Sequence, residues 1–249
     1  MEQLGDCVLR LSVVAALLLG AIPSSVEATC IDPSTLVRST VSISRYFDGG
    51  EQKEGPLGIR GTAWFLSPTS MVTAEHVAAA MNLSVQDWKQ VEILEGETKQ
   101  TIGVRILHRA GSRAEKISVL ELRTAYSRAQ GLQVRMEPLA ADERIVSLAY
   151  PSNRLRFAAG RFVEYGEKNT VAGAALLEMY DGDDRLVLDH GASGAPVLDC
   201  EGRVVAVVSN IFTQTLQFQL RPVRVSTAWG LPNVASVPIQ VLKDFLPAN

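Results

Sequence analysis

Short runs in which apolar and polar residues alternate recur along most of the chain, and turn-forming residues separate them. The run Val41–Tyr46 alternates in this way and is followed by Asp48-Gly49-Gly50, which is the pattern of a half-buried strand and its turn. Similar runs predict strands at Ile59–Leu66, Met71–Ala74, Gly103–His108, Ile117–Leu122, Arg144–Tyr150, Arg161–Tyr165, Leu176–Tyr180, Pro196–Asp199, Val204–Ile211 and Phe218–Arg221. Many short strands of this kind are typical of a β-sandwich or a β-barrel.

Two further segments have local patterns of their own. Asp199-Cys200-Glu201-Gly202 separates two of the predicted strands and predicts a hairpin turn. Near the end of the chain, Val241, Leu242 and Phe245 have helical spacing, so Ile239–Leu246 is predicted to form a short terminal helix.

The composition fits one globular unit with a large core. The chain has 249 residues, of which 47% are hydrophobic and 20% are charged. Its net charge of −3 and sequence pI of about 5.7 give no electrostatic reason to expect nucleic acid or an anionic membrane surface as a partner. A protein or peptide partner is the expectation that remains.

The first 28 residues have the features of a secretory signal. Leu9 to Ile22 is an apolar run, and Val26-Glu27-Ala28 places small residues at the two positions that signal peptidase recognises. We therefore expect residues 1–28 to be removed and residues 29–249 to form a secreted or periplasmic domain without stable membrane insertion. The alternatives are a lipid on Cys30 and a retained anchor, for which the apolar run is shorter than the roughly 20 residues that a spanning helix needs.

Removal of the signal would leave two cysteines, Cys30 and Cys200. An even pair in an exported protein predicts a disulfide, with two unpaired thiols as the alternative. No two cysteine or histidine residues have the spacing of a metal site, so no bound metal is expected.

Two short motifs carry candidate catalytic residues. Asp189-His190-Gly191-Ala192-Ser193-Gly194-Ala195-Pro196 places a serine on a tight turn between glycines, and Thr73-Ala74-Glu75-His76-Val77 places a histidine after a predicted strand. A serine hydroxyl is a poor nucleophile at neutral pH and needs an imidazole to take its proton. Alone, Ser193 is explained as a turn serine and His76 as a capped or core histidine. Together they predict acyl-transfer chemistry.

With His76 preceding Ser193, the two motifs resemble those of the chymotrypsin/trypsin-like serine peptidases, including the bacterial-type branch. The resemblance extends over most of the chain after residue 30. The similar segments are Gly61–Pro68, Met71–Val77, Ile117–Leu122, Val146–Pro151, Ala206–Ser209 and Val237–Ile239. The fold that this resemblance implies is all-β, with two packed antiparallel six-stranded barrels, a short C-terminal helix and the active site between the barrels.

The resemblance also implies roles for the residues of the two motifs. Ser193 would attack the scissile carbonyl, and His76 would act first as general base and then as general acid. The backbone amides of Gly191 and Ser193 would form the oxyanion hole, where a glycine lets the N–H point into the cleft without obstruction.

The substrate pocket follows from the family's spacing. Val187 would line its base and Ser209 and Ile211 its wall, while His190 is expected at its rim. An apolar base and a bulky Ile211 favour small or medium apolar side chains of the substrate. An alignment error of one residue would change this expectation.

The chain departs from the family at the catalytic acid. The family's aspartate directly precedes the strand that corresponds to Ile117–Leu122, and this chain has Lys116 there. Glu115 is the candidate acid if a local bulge re-aims its longer side chain towards His76. Asp87 and the absence of any acid are the alternatives. The point matters because loss of the acid slows such enzymes by about 10⁴-fold.

The sequence therefore predicts an exported serine endopeptidase that works through an acyl-enzyme and uses no cofactor. The alternative is a catalytically weak or inactive protease-like protein that binds peptides or a partner protein in the same cleft.

Overall fold

The computed structural model describes residues 30–47, 57–112, 115–168, 171–181, 188, 190–211, 213–218, 221–226 and 231–246. The predicted signal segment lies outside these residues. Across the described ranges, no helix is both long enough and apolar enough to cross a membrane.

Six antiparallel strands close a first barrel in the order β1-β2-β3-β6-β5-β4. They are β1 (Thr40–Tyr46), β2 (Gly58–Ser67), β3 (Ser70–Ala74), β4 (Lys89–Glu95), β5 (Thr98–Ser112) and β6 (Glu115–Leu122). β1 is a strand as predicted, and Val41 and Ile43 belong to the core of this barrel, but the strand is not half-buried, because every residue from Thr40 to Arg45 is buried. Ser42 is buried as well, because its hydroxyl donates to Asn153 of the second barrel at 2.9 Å.

A second barrel closes in the order β10-β11-β14-β9-β8-β7. Its strands are β7 (Arg144–Ala149), β8 (Arg156–Lys168), β9 (Val171–Tyr180), β10 (Pro196–Leu198), β11 (Val204–Ile211) and β14 (Val234–Pro238). The remaining strands, β12 (Thr213–Phe218) and β13 (Arg221–Ser226), form a separate two-stranded sheet. The structure thus has two six-stranded antiparallel barrels, which confirms the predicted fold.

Helices occupy little of the described chain. The single α-helix, α1 (Glu75–Ala80), follows β3, and short 3-10 helices span Pro33–Leu36, Pro151–Asn153 and Ile239–Leu242. The predicted terminal helix Ile239–Leu246 is therefore shorter than expected. It is a single 3-10 turn, and residues 243–245 continue it as turns.

The strand predictions need two corrections. The predicted strand Phe218–Arg221 is the end of a hairpin, because β12 stops at Phe218 and β13 starts at Arg221, its pairing partner. The strands β4 and β14 were not predicted at all.

The two barrels share an apolar cluster at their junction. Trp64 and Val119 of the first barrel and Val146 and Val207 of the second are fully or almost fully buried in it. Burial of each such side chain contributes about 1.5–3 kcal/mol relative to an exposed position. The cluster therefore packs the two barrels against each other.

The structure contains the predicted disulfide between Cys30 and Cys200, whose Cα atoms are 4.8 Å apart. It ties the segment before β1 to the predicted hairpin turn, in which the Asp199 carboxylate accepts hydrogen bonds from the Glu201 and Arg203 amides at 3.0 and 2.9 Å. The loop-entropy account gives such a long closed loop an upper value of about 5 kcal/mol of stabilisation.

Candidate active site

His76 lies at the end of the first barrel, as the second residue of α1 and directly after β3. β3 is held on both sides, by β2 and by β6. The next residues of α1, Val77 and Ala78, are buried in the barrel core and anchor the helix, whereas His76 is exposed. The core therefore fixes the backbone of α1 and leaves the imidazole accessible.

Ser193 lies in the loop that precedes β10, and glycines shape this loop. Gly191 has φ of 100° and Gly194 has φ of 92°, in the left-handed region that a side chain rarely allows. The Gly194 amide donates to the carbonyl of Val208 at 2.7 Å, which docks the loop on β11. The tight turn predicted from the glycines around Ser193 is present.

Two buried threonines join the Ser193 loop to the first barrel. The Thr62 amide donates to the carbonyl of Ser193 at 2.9 Å, and its hydroxyl donates to the carbonyl of Gly191 at 2.6 Å. The Thr62 hydroxyl also accepts from the Tyr150 amide at 3.0 Å. Thr73, three residues before His76, donates to the carbonyl of Thr62 at 2.7 Å. The role of Thr62 was missed from the sequence, because Gly191, Ser193 and Tyr150 are distant from it along the chain.

The Ser193 loop and the end of β3 are in close contact. A Cβ atom at Gly194 would lie 2.1 Å from the carbonyl oxygen of Thr62 and 3.0 Å from the amide nitrogen of Ala74. The segments that carry Ser193 and His76 are thus brought together at the junction of the barrels.

The polar atoms of the Ser193 turn have few partners. The Ser193 hydroxyl donates to the carbonyl of Ser209 at 3.4 Å. Within the described chain no hydrogen bond joins this hydroxyl to His76. The amides of Gly191 and Ser193 donate to no described residue. Two neighbouring N–H groups are therefore free to bind an acceptor at this turn.

The environment of His76 favours its neutral form. Although His76 is exposed on one side, burial of the imidazole against the protein lowers its pKa, and the nearby Glu75 carboxylate opposes this by raising the pKa. A neutral imidazole is the form that can accept a proton.

Among the side chains that the structure describes, no hydrogen bond joins His76 to a predicted acid. Lys116 is exposed and pairs with Gly111 across β5 and β6. Glu115 starts β6, and its side chain lies outside the described part of the structure. Asp87 is exposed in the loop after α1, and its carboxylate accepts from the Ser84 hydroxyl at 3.3 Å.

Glu75 is the charged residue that the sequence interpretation missed. Its Oε1 forms an ion pair with Arg109 Nε at 2.9 Å, and its Oε2 accepts a hydrogen bond from the Ser118 hydroxyl. A signal was present in the sequence, because an acidic residue directly precedes His76 in a chain that has Lys116 in place of the family's aspartate.

The predicted pocket is described only in part. Val187 lies outside the described residues, as does the side chain of Ile211. His190 is exposed, and Ser209 is buried, with its carbonyl accepting from Ser193. A register shift between Val208 and Asn210 in the pairing of β11 with β14 marks a bulge at Ser209. Among the described residues, no three or more His, Cys, Asp or Glu side chains are grouped as a metal ion would require.

Comparisons with known proteins agree with this geometry. A family model described as a trypsin-like peptidase domain matches residues 61–207, which include His76 and Ser193. The Rv3671c protease of M. tuberculosis in its active form is similar over 85% of this chain and 81% of that chain, with 15% identity and a TM-score of 0.53.

Two further solved structures share the fold. The inactive form of the Rv3671c protease has 16% identity and a TM-score of 0.54, over 85% of this chain and 88% of that one. Deg5 has 14% identity and a TM-score of 0.56, also over 85% and 88%. No curated protein matches the chain significantly in sequence.

Proposed function

The chain belongs to the trypsin-like peptidase family, and we propose that it is a serine endopeptidase that hydrolyses peptide bonds through an acyl-enzyme. The observation that supports this most is the docking of the Ser193 loop, through Thr62 and Thr73, on the strand that leads to His76. The two free amides at the same turn are the second support.

The proposed reaction begins with attack of Ser193 Oγ on the scissile carbonyl carbon while the His76 imidazole takes the hydroxyl proton. The negative charge that develops on the carbonyl oxygen is stabilised by the amides of Gly191 and Ser193. His76 then gives its proton to the leaving amine, and the peptide bond breaks. Water, activated by His76, releases the acyl group from Ser193 in the same way.

The substrate of this enzyme is a protein or peptide. In the proposal, Val187 forms the base of the pocket, Ser209 and Ile211 its wall and His190 its rim. This lining selects small or medium apolar side chains. Nucleic acid is not a partner in this proposal, since the net charge is −3.

The proposal includes export. Residues 1–28 act as the signal, and the domain works in the secreted or periplasmic compartment. The disulfide between Cys30 and Cys200 supports an oxidising compartment.

Labelling with a fluorophosphonate probe tests the nucleophile. We expect the probe to modify Ser193, and Ser193→Ala to abolish labelling and to lower kcat by about 10⁶-fold, as removal of such a nucleophile does. Ser67→Ala is the control, because this serine also lies at a turn but bonds to Ser70 at 2.7 Å. Labelling that persists in Ser193→Ala, or that disappears in Ser67→Ala, would contradict the assignment.

One observation favours the second candidate function, a protease-like protein that binds peptides with little or no cleavage. Ser193 donates to Ser209 and not to His76, and Lys116 replaces the acid. Catalytic hydrogen bonds are often long before substrate binds, so the geometry does not by itself exclude cleavage. The two candidates differ in the labelling experiment, since a binding protein without an activated serine would bind peptides and remain unlabelled.

A further inference from the structure

In the sequence, Lys116 stands directly before Ile117–Leu122, where the family that this chain resembles carries a carboxylate. The charge of a lysine has the wrong sign to stabilise an imidazolium. Glu75 provides a carboxylate from α1 and not from β6. It is the first residue of α1 and directly precedes His76. The pKa of His76 responds to it, since the Glu75 charge raises this pKa against the effect of burial.

The Glu75 carboxylate is anchored at both oxygens. Arg109 Nε pairs with Oε1 at 2.9 Å, and the buried Ser118 hydroxyl donates to Oε2. These two partners lie in one row across the sheet, because Ser118 of β6 pairs with Thr73 of β3 on one side and with Arg109 of β5 on the other. The row fixes the carboxylate at the end of β3, which is where His76 follows.

We propose that Glu75 is a positioning residue for His76, whose carboxylate replaces the charge of the family's missing aspartate. The inference rests on the proposed function. When Ser193 gives its proton to His76, the imidazolium that forms is stabilised by the carboxylate. Both carboxylate oxygens keep their partners on β5 and β6, Arg109 and Ser118, while this charge forms.

The expected contribution is smaller than that of a hydrogen-bonded aspartate. Among the described residues no hydrogen bond joins Glu75 to His76, the Arg109 charge cancels part of the field, and the Glu75 side chain is 20% exposed. Partly exposed charges interact weakly in water. We expect a loss of about 10-fold in kcat on removal of the charge, against roughly 10⁴-fold for loss of the usual acid.

Other charged groups on the elements around α1 are accounted for. Arg60 lies on β2, and Lys116 and Glu121 lie on β6. Burial is the larger cause of the shift in the His76 pKa and lowers it, and the Glu75 charge raises it. Glu115, whose side chain is outside the described part, is the competing candidate.

The first test measures the pKa of His76 by NMR of the imidazole in the full chain carrying Ser193→Ala. The chain has three histidines, so His108→Gln and His190→Gln assign the signals. We expect Glu75→Gln to lower the pKa of His76. An unchanged or raised pKa would overturn the proposal. This readout needs no turnover, so failure of the inference is distinguishable from failure of the proposed function.

The second test uses the active chain and a matched control. Glu121→Gln removes another Arg–Glu ion pair of β5, in which Arg105 Nε lies 2.6 Å from Oε2 of Glu121 on β6. We expect Glu75→Gln to lower kcat about 10-fold with little change in KM, since it affects proton transfer and not binding. Glu121→Gln should leave both constants unchanged. Equal losses in the two variants, or a larger loss in Glu115→Gln than in Glu75→Gln, would overturn the proposal.

Discussion

The loop that carries Ser193 and the helix that carries His76 are held in different ways. Backbone groups and buried threonine hydroxyls fix the Ser193 loop, through contacts that reach from one barrel to the other. By contrast, α1 is anchored by buried apolar side chains, and the imidazole of His76 extends from it into a partly open space. Ser193, the proposed nucleophile, is thus placed by close backbone packing, whereas the pKa of His76, the proposed base, depends on burial and on the charge of Glu75.

This difference makes the two regions sensitive to different changes. A backbone that packs within van der Waals distance of another backbone has no room for even one methyl group. A partly exposed imidazole tolerates small shifts, but its proton affinity changes with each nearby charge. Substitutions that add atoms should therefore damage the Ser193 loop most. Changes of pH or of nearby charges should alter the protonation of His76.

The largest effect is expected from Gly194→Ala. The new Cβ would lie 2.1 Å from the Thr62 carbonyl oxygen, which belongs to paired backbone, and φ of 92° is strained for alanine. We expect a loss of about 4 kcal/mol in the free energy of unfolding, near the upper range for single substitutions, together with loss of probe labelling in the folded fraction.

Gly173→Ala is the matched control for this variant. Gly173 also has a positive φ, of 75°, but a Cβ there would meet nothing within 4 Å. Only the conformational strain remains, which costs about 1–2 kcal/mol. Thermal unfolding measures both variants, and equal losses of stability would show that the contact with Thr62 does not matter.

A smaller effect is expected from Thr62→Val, which keeps the shape of the side chain and removes its hydroxyl. The Gly191 carbonyl and the Tyr150 amide then lose a hydrogen-bond partner in a buried region. A fully buried unsatisfied group costs about 1–3 kcal/mol, and the Gly191 carbonyl is only partly buried, so we expect a total loss of about 2 kcal/mol. Probe labelling of Ser193 should slow as the loop loses this support.

Thr40→Val is the control for the loss of a hydroxyl. Thr40 is fully buried, and its hydroxyl has no hydrogen-bond partner among the described residues. Its replacement should be neutral or slightly stabilising and should not change labelling. If chemical denaturation gives the same change for both threonines, the cross-barrel hydrogen bonds of Thr62 are not what holds the loop.

The contrast between the two regions also explains which features the sequence revealed. The apolar and polar residues of β1 alternate, which identified it as a strand, whereas the short sequence of β14 has one polar residue, Ser236, and no repeated alternation. The Ser193 turn was evident from its glycines, since a positive φ leaves a local trace in the sequence. The role of Thr62 was not evident from the sequence, because its partners Gly191 and Tyr150 are far away in the chain.

The smallest expected effect is the change of kcat/KM with pH, which tests whether burial sets the pKa of His76. Burial lowers the pKa of His76 below its ordinary value of about 6.5, with partial opposition from Glu75. A base is active when neutral, so kcat/KM should stay on its plateau as pH falls to about 6.5 and decline only below it. The same shift makes the unfolded chain bind the proton more readily, so stability should fall modestly over the same acidic range. His108→Gln, which removes a histidine stacked on Phe245, is the control and should leave the kinetic midpoint unchanged. A midpoint at or above 6.5 in the pH profile of kcat/KM would show that burial does not dominate at His76.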